Sequence, residues 1–292
     1  MGEKRSNRVK PPLKFHGGKR YLAERVLEIM PRHLHYVEPY FGGGQVLFRR
    51  DPADARFWWD GPTSDGRKPD GVSELINDLD GDLMNFYSVL KNPDTFGRLH
   101  EWLQKTPFSE DEWREAGEVL AGPPGDPVVR AGSLFVRVRQ SMSGRRDTFC
   151  PTTRTRLRGG RNGDVYAWQN AIDGLPAVHE RLRDLRVLNQ PALDVIRRED
   201  QPETLFYLDP PYVHETRTSA EVYGQFEMTL GDHRGLLETI RGCRGKVILS
   251  GYDNGLYNTM LSDWTRHAFD LPNNAAGGAT KQRMTEVLWC NF

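Results

Sequence analysis

Residues 209 to 212 read Asp-Pro-Pro-Tyr and directly follow an apolar run, Leu205-Phe206-Tyr207-Leu208. The two prolines, Pro210 and Pro211, fix φ and carry no N–H, so a turn built on them offers carbonyl acceptors without competing donors. Asp209 adds a carboxylate and Tyr212 an aromatic face. Acceptors of this kind can grip the two hydrogens of a planar amine while the ring stacks on its π-face. The tetrapeptide is equally compatible with an ordinary exposed turn, because Asp-Pro and Pro-Pro are common turn pairs.

A second group of residues suits a ligand. His35-Tyr-Val-Glu38 reads as a short strand, and Phe41-Gly42-Gly43-Gly44 as a turn that leads into a helix over 45–50. In an open parallel sheet, ligands bind at the carboxyl ends of strands, and glycine lets the backbone approach them closely. Glu38 puts a negative charge there, which is wrong for a pyrophosphate and right for a cation. A phosphate loop calls for Gly-x-Gly-x-x-Gly or a Lys-Ser/Thr ending, and neither is present. Asp78 lies at the end of the next strand, where a carboxylate can accept both hydroxyls of a ribose. A cationic, ribose-bearing ligand describes S-adenosylmethionine. Triple glycine alone is common in loops; Glu38 before it and Asp78 after it favour a cofactor site.

Hydrophobic spacing predicts the elements that hold these groups. Leu22, Val26 and Ile29 recur at helical spacing over 19–30, and Pro31 ends that helix. Strands are expected at 35–38, 73–78, 185–188, 204–208, 246–250 and 286–291. Helices are expected over 79–91, with Leu83, Phe86, Tyr87 and Leu90 on one face, and over 96–105, 110–120 and 175–182. Another carries Leu236, Leu237 and Ile240, with Asp232 as its cap. Residues 51–71 read as a long loop pinned by Phe57-Trp58-Trp59, and residues 122–127 break the pattern. Short apolar strands alternating with helices imply an α/β fold with a mostly parallel sheet. The irregular middle reads as an insertion. The expected organisation is a catalytic domain over 1–90 and 171–292, interrupted at 91–170.

Composition narrows the class. The chain has 292 residues and no net charge, with 37% hydrophobic residues and a mean hydropathy of −0.65. No apolar run approaches the roughly 20 residues that span a bilayer, and no membrane partner is expected. The basic segment 1–10 has no apolar stretch behind it, so a secretion signal is not expected. Cys150, Cys243 and Cys290 form neither an even disulfide set nor a ligand pattern, which suits a reducing cytoplasm and no metal. Charge is neutral in total but not in distribution. Between Arg130 and Arg161 stand nine arginines against the single Asp147. That block reads either as a solvated charge run or as an ordered surface for a polyanion. Phe135, Phe149, Tyr166 and Trp168 nearby favour the second.

Together these segments resemble the Dam-like, alpha-ordered (D12-class) DNA adenine-N6 methyltransferases of bacteria and phages. Lys14-Phe-His-Gly-Gly-Lys19 is similar to the family's N-terminal motif, with Phe15 in place of the commoner Trp. Glu38-Pro-Tyr-Phe-Gly-Gly-Gly44 resembles its cofactor motif, Ile76-Asn-Asp-Leu-Asp80 its ribose motif and Asp209-Pro-Pro-Tyr212 its catalytic motif. Segments 246–252 and 283–291 resemble its later strands. The resemblance implies a Rossmann-like methyltransferase sheet with an inserted target-recognition region in the arginine-rich middle. It implies methyl transfer from S-adenosylmethionine, leaving S-adenosylhomocysteine, to the N6 amine of a flipped adenine in duplex DNA. Asp209, Pro210, Pro211 and Tyr212 would be catalytic. Phe15, Lys19, Glu38, Phe41, Gly42, Gly43, Gly44 and Asp78 would hold the cofactor. Asp194 and Val195 stand where the family contacts the adenine ring, or Asp194 caps a helix before Ile196. Lys14, Arg137, Arg139, Arg145, Arg146, Arg154, Arg156 and Arg158 are the candidate DNA contacts. A cognate restriction endonuclease is compatible with the resemblance and not required for activity. Cytosine-N4 methylation and an inactive DNA-binding relative are the rival readings.

Overall fold

A strand covered on both faces must be apolar throughout, and Thr204–Leu208 is buried at all five positions. It is one of nine strands in the structure, a computed structural model that describes residues 9–14, 20–63, 66, 68–150, 157–213, 226–272 and 283–292. The strands are β1 (His35–Glu38), β2 (Ser73–Asn77), β3 (Leu157–Arg158), β4 (Arg161–Asn162), β5 (Arg186–Leu188), β6 (Thr204–Leu208), β7 (Lys246–Tyr252), β8 (Thr265–Pro272) and β9 (Arg283–Cys290). Two units share the chain. One gathers residues 1–23, 42–51 and 80–187, the other 24–41, 52–79 and 188–292.

The second unit is organised by a sheet of order β5-β2-β1-β6-β7-β9-β8. β1 pairs in parallel with β2 and β6, and β6 with β7. β9 runs antiparallel between β7 and β8. The fold is therefore the mostly parallel α/β sheet that the alternation predicts, with an antiparallel edge. Register sets Val37 opposite Phe206 and Leu208 opposite Leu249. The helices Ala192–Glu199 and Leu230–Arg241 bring Val195, Ile196, Leu236, Leu237 and Ile240 into one apolar cluster with Phe206, Leu249 and Trp289. Burying each such side chain contributes about 1.5–3 kcal/mol. The loop after β1 is pinned as expected. Phe57 is buried, its carbonyl accepts from the His33 N–H at 2.9 Å, and Trp58 bridges to His33.

The first unit is helical. Gly81–Lys91, Pro93–Lys105, Glu110–Ala121, Pro127–Arg139, Gly163–Asp173 and Leu175–Leu182 are its main helices. Leu83, Phe86, Tyr87 and Leu90 face inward as their spacing predicts. The helix Pro127–Arg139 begins inside what the sequence suggests is only a break. Pro127 is its first residue and Asp126 its cap, accepting from the Val128 N–H, so the apparent breaker is a start signal. Gly163–Asp173 likewise begins on Asn162, which accepts from Asp164 and Val165.

Other expectations need correction. Residues 45–50 are a run of turns and not a helix. Six residues starting beside Gly44, at φ 63°, give little length over which a helix can recover its nucleation cost. Asp232 does not cap Leu230–Arg241. Thr229 does, and Asp232 closes the capping box by accepting from the Thr229 backbone. β8 is absent from the sequence reading because Thr-Arg-His-Ala-Phe-Asp lacks a clean period of two. Among the described residues, no helix is long and apolar enough to cross a membrane.

The capping box carries a test. Thr229→Ala should lower the unfolding free energy by about 1 kcal/mol, read as a shift of the denaturant midpoint, and Asp232→Ala should cost no more than that.

Candidate active site

The chemically interesting side chains collect at the carboxyl ends of the parallel strands. Glu38 ends β1, Asp78 follows β2 and Asp209 follows β6. Glu38 is 1% exposed and accepts a hydrogen bond from Tyr36 Oη at 2.7 Å. Asp209 is half-buried. The hydroxyl of Ser250, on the adjacent β7, lies 2.8 Å from Asp209 Oδ1 and 3.2 Å from the Leu208 carbonyl. Tyr207 Oη in turn donates to Ser250 Oγ at 3.4 Å. One oxygen of the Asp209 carboxylate is thus fixed by a neighbouring strand. Pro210 is buried and Pro211 half-buried.

Tyr212 departs from the exposed-turn alternative. It is 6% exposed. Its hydroxyl donates to Glu286 Oε2 at 2.9 Å, and its ring meets Tyr252 edge-on, with centroids 4.6 Å apart and planes at 79°. Glu286 lies on β9, opposite Tyr252 in register. Burial first, then the charge of Glu286 and Asp209, pushes the Tyr212 phenol well above its ordinary pKa. Burial and Asp209 do the same to Tyr207. Both phenols stay protonated at any working pH, so Tyr212 acts as a donor to Glu286 and Tyr207 as a donor to Ser250.

Asn77, the last residue of β2, lies inside the ribose-motif segment Ile76–Asp80 but has no role of its own in the sequence analysis, yet it ties this end of the sheet together. It is fully buried. Its amide donates to the Pro39 and Gln190 carbonyls, each at 3.0 Å, and accepts from the Gln190 N–H at 2.9 Å. Its own carbonyl accepts from the Phe41 N–H at 2.9 Å. Asn189 adds hydrogen bonds to the carbonyls of Asp78 and Leu79. One asparagine therefore sets the loop after β1 against the segment that leads into Ala192–Glu199. Tyr40, in that loop, packs against the core cluster; burial and the charges of Asp232 and Asp78 push its phenol up. The only sequence signal was the asparagine between Ile76 and Asp78, where an apolar strand turns polar.

The other candidate residues fall as follows. Phe41 is buried. Gly42 and Gly44 have φ of 50° and 63°, the left-handed region that favours glycine, and the Gly42 carbonyl accepts from Tyr87 Oη at 3.3 Å. Asp194 is not a cap. The cap position is Pro191, and Asp194 is exposed in the first turn of Ala192–Glu199, paired with Arg197 at 3.3 Å. The Val195 side chain is fully buried in the core cluster. Phe15 and Lys19 lie outside the described residues.

The sequence model of the D12 class of N6 adenine-specific DNA methyltransferases matches residues 15–117 and 163–274. The chain belongs to this family. It is 23% identical to the Type II methyltransferase M1.LlaDCHI of Lactococcus lactis subsp. cremoris, over 99% of this chain and 98% of that protein. Over 90 residues it is 33% identical to the Type II methyltransferase M.MjaIII of Methanocaldococcus jannaschii, covering 29% of this chain and 26% of that protein. The solved rRNA methyltransferase aviRa from Streptomyces viridochromogenes superposes with a TM-score of 0.35 at 13% identity, across 100% of this chain and 94% of that one, and a likeness this loose carries no argument. The family is adenine-specific, so the protein is a site-specific DNA adenine methyltransferase and cytosine-N4 methylation is not favoured. DNA is its substrate.

The methyltransferase uses its arginines less uniformly than their run suggests. The stretch between the two matched segments, residues 118–162, holds all nine. Arg130 grips both oxygens of Asp82 and the carbonyls of Val119 and Leu120. Arg137, expected at phosphate, lies over the Trp113 ring at 3.3 Å and donates to the Trp113 carbonyl. Arg139, also expected there, donates to the Pro12 and Pro11 carbonyls. Burial brings its pKa down to about 10. These three turn inward because each finds acceptors or a ring that water would otherwise have to replace. Lys14, in the segment that Arg139 holds, is half-buried. Phe135 and Trp168 are core residues, not exposed stacking platforms. Arg146 is half-buried at φ 69° and reaches Asp80 at 3.4 Å. Arg145, Arg158 and Arg161 are exposed. Arg154 and Arg156 lie outside the described residues.

Asn77→Ala leaves two buried carbonyls and one N–H without their partner. At about 1–3 kcal/mol for each unsatisfied group, the variant should lose at least about 3 kcal/mol of stability, seen as an earlier melting transition of the pure protein.

Proposed function

We propose that the protein transfers a methyl group from S-adenosylmethionine to an adenine N6 that has been rotated out of duplex DNA, with Asp209 and the Pro210 carbonyl as acceptors for the amine. The observation that carries this reading is the carboxylate of Asp209, fixed by Ser250 beside two donor-free prolines. The residues present suit the cofactor. Glu38, Asp209 and Glu286 concentrate negative charge at one edge of the sheet, and all three act on the same phenol, Tyr207. A sulfonium cation is stabilised there and a phosphate is not. When bound, S-adenosylmethionine supplies an electrophilic methyl on a positively charged sulfur and leaves as neutral S-adenosylhomocysteine. Glu38 would face its methionine end and Asp78 its ribose. By resemblance, Phe41, Gly42 to Gly44, Phe15, Lys19 and the Asp194–Val195 pair complete the set, Val195 through its backbone.

The exocyclic amine of adenine is a poor nucleophile because its lone pair is delocalised into the ring. Accepting its two hydrogens favours a pyramidal nitrogen whose lone pair is localised. Groups held in place before the reaction stabilise this arrangement without reorganising, and alignment of the amine supplies much of the remaining rate. Extruding the base costs a few kcal/mol. Tyr212 is 6% exposed, so its ring would have to open towards the base before stacking could recover about 1–3 kcal/mol. The exposed Arg145 and Arg158 would meet phosphates or guanine edges, with Arg154 and Arg156 assigned to the same surface from sequence. Cytoplasmic location belongs to the same reading, as does service beside a cognate restriction endonuclease that catalysis does not require.

Expression in a methylation-free host, followed by single-molecule sequencing of the host DNA, should show N6-methyladenine at one sequence. Asp209→Ala should abolish that signal while calorimetry still records cofactor binding. Full transfer by this variant would overturn the assignment. The arginines separate by a different measurement. Arg145→Ala and Arg158→Ala should each flatten the dependence of log Kd on log salt by about 1, and Arg158→Ala should leave the melting temperature in place. Arg139→Ala should lower the melting temperature instead.

A further inference from the structure

The end of β2 is stitched to the chain on both sides of it by side-chain amides. On one side Asn77 meets Gln190. Its amide donates to the Gln190 carbonyl at 3.0 Å and accepts from the Gln190 N–H at 2.9 Å. Two residues exchange bonds in this way across an antiparallel ladder, so one side chain stands in for a strand residue. Asn189 returns the grip. Its amide donates to the carbonyls of Asp78 and Leu79 at 2.8 and 3.1 Å. On the other side, Asn77 donates to the Pro39 carbonyl at 3.0 Å, and its own carbonyl accepts from the Phe41 N–H at 2.9 Å. Asn77 is fully buried, whereas Asn189 is exposed. Folding gains little from an exposed amide, because its bonds replace bonds to water. What Asn189 does achieve is to fix the backbone that carries Asp78.

We infer that Asn77 and Asn189 are positioning residues for S-adenosylmethionine, a reciprocal clasp that sets Asp78 between the loop after β1 and the segment leading into Ala192–Glu199. The assignment rests on the proposed cofactor roles of Glu38, Phe41, Asp78 and the Asp194–Val195 pair. Those residues belong to three separate stretches: the end of β1 with its loop, the residue after β2, and the first turns of Ala192–Glu199. A ligand that touches all three binds tightly only if their spacing is set before it arrives, since ordering loose segments on binding costs affinity. Neither asparagine touches the ligand in this assignment. Each acts through the backbone it holds, Asn77 on both flanks of β2 and Asn189 on the peptide groups of Asp78 and Leu79.

Calorimetry on the purified protein tests the clasp, with S-adenosylmethionine and S-adenosylhomocysteine as separate probes. Asn189→Ala removes one half of it from an exposed position. This variant should weaken both probes by the same factor, about 5-fold to 10-fold, and leave the melting temperature unchanged. Asn77→Ala removes the other half. Measured below its earlier melting transition, it should weaken both probes by at least about 10-fold. If Asn77→Ala fails to fold, Asn189→Ala decides alone. Leu261→Ala is the control for stability. Leu261 is a core residue, 2% exposed, with no bond to the clasp, and its loss should lower the melting temperature while both affinities stay parental. Parental affinity for both probes in Asn189→Ala would overturn the inference. So would a loss confined to S-adenosylmethionine, which would point to charge and not to spacing, or an equal loss in Leu261→Ala. A parent protein that binds neither probe would overturn the reading of the cofactor site itself, which is a separate failure.

Discussion

Negative charge buried at the carboxyl edge of the sheet is the constraint around which the rest of the site is arranged. Glu38 and Glu286 are almost fully enclosed, and Asp209 is partly so. Taking a carboxylate out of water costs several kcal/mol, and folding alone offers no return. Neutral hydroxyls meet these oxygens: Tyr36 meets Glu38, Tyr212 meets Glu286 and Ser250 meets Asp209. A hydroxyl satisfies an oxygen without cancelling its charge. The effect of these charges is visible in the phenols of Tyr207 and Tyr212, whose ionisation is opposed first by burial and then by the neighbouring carboxylates. A methylating donor is a cation before transfer and neutral after it, so such a field favours reactant over spent product.

Stiffness is the second requirement, and it comes from small polar ties in place of bulk. Asn77 joins the end of β2 to the loop after β1 and to the segment before Ala192–Glu199. Ser250 joins β7 to the end of β6. The two prolines remove backbone freedom between Asp209 and Tyr212. Each device acts on a strand end, where the ladder stops and the chain would otherwise be free to move. The strands place the groups, and the polar ties hold the last few residues that the strands no longer control.

The sheet was largely legible in the sequence because buried parallel strands are short apolar runs that end in polar residues. Thr204–Leu208 and His35–Glu38 are such runs, and the chemistry sits at their ends for the same reason. The edge strand Thr265–Pro272 escaped, since an edge need not alternate. Two helix starts, at Pro127 and Gly163, were hidden by the turn-forming residues that cap them. The candidate site was legible as to residue type and blind as to pairing. That Arg137 covers Trp113 and Arg139 reaches Pro11 and Pro12 depends on contacts between elements far apart in the chain, and a run of like charges looks the same whether it faces water or carbonyls. Glu286 was invisible for a similar reason. Its partner Tyr212 lies 74 positions away in sequence, and only the register of β9 beside β7 brings them together.

The interleaving of the two units has a consequence for biosynthesis. Every segment of the helical unit has been translated once residue 187 is made, whereas the sheet still lacks β6, β7, β8 and β9. At about 5–20 residues per second, the roughly one hundred residues that follow take about 5–20 s to emerge. For about the first 1–4 s of that interval, until β6 emerges, the β1 edge that β6 will cover is open, and an unpaired strand edge is a template for aggregation. A nascent chain of this design calls for shielding by ribosome-associated chaperones until the missing strands arrive.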